Sequence, residues 1–116
     1  MTSKTYLFIQ RSPKRDDNGP QDPPSPAQME EMYARFTAWS TKFKDNIVDM
    51  GGKLMGGRVV SKDGVADGPF VESKEIVGGF MIVRAASLEE ATQVAQESPG
   101  VMPAGSSVEI REISAT

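Results

Sequence analysis

Hydrophobic and polar positions along the chain change period several times, and each change marks an element. Thr5-Tyr6-Leu7-Phe8-Ile9-Gln10 is aromatic and branched, which predicts a strand. From Arg11 to Ser25, four prolines (Pro13, Pro20, Pro23, Pro24) and the Asn18-Gly19 pair exclude a helix or central strand and predict a long loop. Ser25-Pro26-Ala27-Gln28 then supplies an N-cap hydroxyl, a proline at the first helical position and a glutamine placed to close a capping box. Met29, Met32, Tyr33, Phe36, Trp39, Phe43, Ile47 and Met50 follow at helical spacing. They predict one long amphipathic helix, ended by Gly51-Gly52 and packed on a sheet.

The second half is shorter in its rhythms. Lys53–Val60 reads as a strand weakened by Gly56-Gly57, and Ser61-Lys62-Asp63-Gly64 as a turn. Val65–Ser73 is a further connection, and Glu75–Arg84 is a strongly apolar strand. Ser87-Leu88-Glu89-Glu90 is a second capping box, opening a helix that buries Leu88, Ala91, Val94 and Ala95 until Pro99 stops it. Ser107–Ile113 closes the chain as a strand. The order β-α-β-β-α-β, with right-handed crossovers, predicts an α+β ferredoxin-like protomer: one antiparallel four-stranded sheet with both helices on one face.

That architecture leaves one sheet face without a helix, and the patterning says what it carries. The last strand alternates, with Val108 and Ile110 opposite Glu109 and Arg111. The two central strands are apolar on both sides: Leu7 and Ile9 against Tyr6 and Phe8, Phe80 and Ile82 against Met81 and Val83. About four large side chains would stay bare, each worth ~1.5–3 kcal/mol when fully buried. Such a patch predicts an interface, and a second copy of the same sheet is the expected cover, giving a two-fold homodimer.

Composition narrows the chemistry. The 116 residues suit a single domain spanning 1–116 and include no Cys and no His, which removes disulfides, thiolate nucleophiles, imidazole bases and most zinc sites. No metal and no cofactor are expected; carboxylates such as Asp63 and Asp67 offer at best weak ligation of a hard cation. With 13 basic against 16 acidic residues the net charge is −3, and the basic residues are dispersed, which argues against nucleic acid. The longest apolar runs are about four residues, far from the ~20 of a membrane helix. The N-terminus lacks a signal-peptide layout, so the expected location is cytoplasmic. Gly51-Gly52-Lys53-Leu54-Met55-Gly56-Gly57-Arg58-Val59 is not a phosphate loop, because Arg58-Val59 stands where Lys-Ser/Thr is needed and a strand follows.

From Asp67 the chain carries Asp67-Gly68-Pro69-Phe70, then Glu72, Lys74-Glu75, Gly78-Gly79 and, after a strand, Ser87-Leu88-Glu89-Glu90-Ala91. With the ending Gly105-Ser106-Ser107-Val108-Glu109-Ile110-Arg111, this resembles the YCII-related family, in particular its DGPF branch. The resemblance implies a dimeric α+β barrel of ferredoxin-like protomers. Some members of the family are thought to use a His–Asp pair in acid–base chemistry; without histidine this chain lacks that dyad. Relatives also occur beside or fused to extracytoplasmic-function sigma factors, which implies an interaction role as one alternative.

The residues themselves leave two readings of the tetrapeptide. Asp, Gly and Pro can simply build a turn that Phe70 pins to the core, or the turn can set Asp67 at a cleft beside Glu72 and Lys74. Glu72 and Lys74 would then be either a surface ion pair or, with Glu72 desolvated, a general base and its partner. The expectation is a homodimeric small-molecule-binding module whose ligand sits between the sheet face and the Asp67–Glu75 segment. Its candidate ligand-binding residues are Tyr6, Phe8, Arg58, Asp67, Pro69, Phe70, Glu72 and Lys74, with the choice between Tyr6/Phe8 and the opposite set of the sheet left open. The alternative is a small enzyme of proton-transfer or lyase type using Glu72, Asp67, Lys74 or Tyr33.

Overall fold

The computed structural model describes residues 3–13, 25–67 and 75–114. Its elements are β1 (Lys4–Pro13), α1 (Pro26–Lys42), β2 (Ile47–Lys53), β3 (Arg58–Ser61), β4 (Gly64–Asp67), β5 (Glu75–Ala85), α2 (Leu88–Gln96), a 3-10 turn (Pro99–Val101) and β6 (Ser107–Ile113). The main sheet is antiparallel with strand order β2-β5-β1-β6, so the first strand and the apolar β5 are central, as a ferredoxin-like α+β fold requires. Among the described residues, no helix is long and apolar enough to cross a membrane.

Strand register assigns the faces. Tyr6 pairs with Val83, and Phe8 with Met81 and Ile110; these lie on the side of Trp39 from α1 and Ala91, Val94 and Ala95 from α2. Tyr6 is 1% exposed and Val83 fully buried, so this face holds the core. Leu7, opposite Ile82 and Arg111, and Ile9, opposite Phe80 and Glu109, point the other way. That side is an apolar stripe of half-buried Leu7, Ile9, Phe80 and Ile82. Its β6 margin is charged, where Glu109 binds both Arg11 and Arg111.

Both helix starts follow the sequence. Ser25 Oγ accepts from Gln28 N–H at 3.1 Å while Gln28 Oε1 accepts from Ser25 N–H at 2.8 Å, and Pro26 opens α1. Ser87 Oγ caps α2 through the Glu90 N–H, but the Glu90 carboxylate reaches back one residue further, to the Ala86 N–H at 2.8 Å. Leu88, expected on the buried side of α2, is exposed.

Four expectations about the middle of the chain are corrected. The first helix ends at Lys42, eight residues early, because Asn46 is captured by the sheet: its carbonyl accepts from Arg84 N–H at 2.6 Å and its amide donates to the Arg84 carbonyl at 2.9 Å. Ile47–Met50, which continue the helical spacing, are strand β2 instead. Gly51 is therefore no helix cap; it sits at φ +65° beside an irregular stretch of the β2–β5 pairing. The strand expected over Lys53–Val60 splits, with Lys53 ending β2 and Arg58–Val60 in β3, and the expected connection from Val65 begins instead as strand β4, which pairs with β3 across the predicted Ser61–Gly64 turn. The N-terminal half of α1 also departs from expectation, since Met29, Met32, Tyr33 and Phe36 stay exposed and only Trp39 is buried.

Candidate functional site

The space under α1 follows from that departure. Where the helix face fails to close on the sheet, a cavity of about 370 Å³ remains. Its floor is one row of the sheet read across four strands: Lys53 (β2), Gly79 (β5), Gln10 (β1) and Val108 (β6) are register partners and share the helix-covered face. Gly79 leaves this row open, for a Cβ there would already meet the Gly52 carbonyl oxygen at 3.2 Å. Phe8 and Met81 line it from the sheet, Phe36 and Trp39 from α1, and Pro99-Gly100 from the 3-10 turn.

The walls are held by specific bonds. The Trp39 indole N–H donates to the Val94 carbonyl at 3.0 Å, tying α1 to α2, and the ring packs at 5.9 Å from Phe36 and 6.2 Å from Phe43. Gln10 Nε2 donates to the Gly100 carbonyl at 2.8 Å and more weakly to the Arg11 carbonyl at 3.4 Å, fixing the 3-10 turn to β1. Ser98 is buried with its hydroxyl donating to the Ala95 carbonyl at 2.6 Å. These bonds commit the amide nitrogen of Gln10 and the hydroxyl proton of Ser98 to the protein itself.

The cavity is therefore apolar with one ionisable side chain, Lys53, among the described residues that line it. Lys53 makes no ion pair with the described residues. Past Phe36 and Pro99 the cavity adjoins a groove of about 610 Å³, lined also by Met29, Met32, Tyr33, Arg35, Met102 and Pro103. Arg35 is occupied there, with Glu31 at 2.7 Å and Met102 Sδ at 3.0 Å. Among the described residues no three acidic groups converge into a metal cage.

Of the residues singled out from the sequence, Phe8 lines this cavity and Tyr6 does not; Tyr6 is core, and its buried hydroxyl has no hydrogen-bond partner among the described residues. Tyr33 is 68% exposed on α1 and lines the groove rather than the cavity. Arg58 opens β3 and pairs in register with Asp67 at the end of β4, away from the cavity lining. Pro69, Phe70, Glu72 and Lys74 lie outside the described residues. The sequence reading missed Gln10, Lys53, Phe36, Trp39, Gly79 and Met81 as one site. The Gly78-Gly79 pair inside an apolar strand was the local signal, since glycine there marks a bulge or an open approach to the backbone.

Comparison with curated proteins gives no match. The family model for the YCII-related domain matches residues 20–115, which takes in every described element after β1, and the chain belongs to the YCII-related family.

Proposed function

We propose that the chain is a homodimeric small-molecule-binding module. Each protomer holds an apolar ligand in the cavity beneath α1, and two protomers meet through the sheet faces that carry Leu7, Ile9, Phe80 and Ile82. The observation that carries the reading is the cavity: its volume, about 370 Å³, is in the range of ligand sites, and its walls are aromatic and aliphatic. Its described lining offers no carboxylate, imidazole or thiol, so it favours binding over acid–base turnover.

The test is a titration with a neutral apolar probe, 1-decanol, followed by Trp39 fluorescence and thermal unfolding. Trp39 is the only tryptophan and walls the cavity, so its emission reports occupancy directly. The proposal expects a saturable emission change together with a raised Tm. Unchanged emission and Tm up to the solubility of the probe would refute it.

A further inference from the structure

We infer that the ligand of this cavity is an elongated apolar carboxylate whose charged end pairs with Lys53 and whose body lies along Trp39 and Phe36 toward the methionine groove. The inference rests on the proposed binding role of the cavity and names the class of molecule it takes.

Three observations select that class. The first is charge: Lys53 is the only ionisable group among the described lining residues, and its register with Gly79 and Gln10 directs it onto the cavity face of the sheet. The other polar side chains of the lining, Gln10 and Ser98, already spend their donors on Gly100, Arg11 and Ala95 carbonyls. One ammonium without a cluster of further donors matches a single carboxylate better than a phosphate, which calls for several donors at once. The second is polarity, for every other side chain around the cavity is aromatic, aliphatic, thioether or glycine/proline. The third is shape. Phe36 and Pro99 border both the cavity and the adjoining groove, so apolar space runs on past the cavity between α1 and the 99–103 segment. Met29, Met32 and Met102 give that extension the adaptable lining that suits a flexible chain.

The experiment titrates the 116-residue chain at neutral pH with hexanoate, octanoate, decanoate, 1-decanol and decyltrimethylammonium, reading Trp39 emission. Decanoate is expected to bind about tenfold more tightly than 1-decanol, and decyltrimethylammonium more weakly than either. From hexanoate to decanoate, affinity is expected to rise by about fourfold per methylene, as burial of each added group in apolar surroundings dictates. Lys53→Gln should erase the advantage of decanoate over 1-decanol, and Lys53→Arg should retain it. Lys53 is exposed at the end of an edge strand, and far-UV circular dichroism of both variants checks that they fold. If 1-decanol binds but decanoate gains nothing over it, or if Lys53→Gln keeps the preference, the carboxylate inference is overturned and the cavity stands. If none of the amphiphiles perturbs Trp39, the binding role itself falls and this inference with it.

Discussion

Replacing Trp39 with phenylalanine separates what the indole does from what any aromatic ring would do. Trp39 is 6% exposed and its N–H donates to the Val94 carbonyl at 3.0 Å. That carbonyl lies in the last turn of α2, where the Ser98 N–H turns to Ala95 and the Glu97 N–H to Gln93. The indole therefore supplies a donor to a helix-end carbonyl that lacks one. Removing it leaves a buried acceptor unsatisfied, at about 1–3 kcal/mol. The smaller ring gives up roughly 40 Å² of apolar contact, or about 1 kcal/mol more. The sum, about 2–4 kcal/mol, is a large share of the ~5–15 kcal/mol that holds a typical domain together. Urea unfolding followed by far-UV circular dichroism reads it without needing the lost fluorophore, and Tm should fall by roughly 8–16 °C. A change below about 0.5 kcal/mol at an unchanged denaturant slope would refute the reasoning, because it would mean that the bond between α1 and α2 contributes nothing net.

Tyr6→Phe should act in the opposite direction. Its buried hydroxyl bonds to none of the described residues, so deleting it is expected to stabilise by about 1 kcal/mol, and a loss of stability in urea would contradict that. Gly51→Ala combines a left-handed backbone (φ +65°) with a Cβ that would lie 1.9 Å from the Phe80 carbonyl oxygen, so β2 must pull away from β5. A loss of about 2 kcal/mol or more is expected, and a Tm equal to wild type would show that the β2–β5 pairing is not needed in this form. Glu109 titrates below the ordinary carboxylate range because Arg111, then Arg11, hydrogen-bond its charged form. A lowered folded-state pKa gives stability that is present above the unfolded-state value and lost as pH falls through the folded one. The gap in urea midpoint between wild type and Glu109→Gln should therefore be widest near neutrality and shrink below the usual carboxylate pKa; a gap that does not vary with pH would remove the cause.

What the sequence reveals and what it hides have separate physical origins. The start of α1 is legible because a capping box is local: Ser25 and Gln28 meet within one turn. Its end is not, because Phe43, Ile47 and Met50 keep helical spacing while the deciding bonds join Asn46 to Arg84, 38 residues away. The strand order follows from alternating elements, and the family from the run around Asp67-Gly68-Pro69-Phe70. The assignment of faces could not be read, since Tyr6/Phe8 and Leu7/Ile9 are equally apolar and only the seating of Trp39 and α2 chooses between them. The cavity was least visible of all. Lys53, Gly79 and Gln10 come from three strands and make a site only when the register sets them in one row.

The sheet side that no described helix covers underlies the whole account, and sedimentation equilibrium of the 116-residue chain tests it most directly. The protomer mass is 12.5 kDa. A species of twice that mass at micromolar concentration is predicted, falling to the protomer mass on Leu7→Asp with the circular dichroism of the fold retained. A wild-type chain that sediments as a single protomer up to roughly 100 μM would contradict it, because Leu7, Ile9, Phe80 and Ile82 would then have no second copy to cover them.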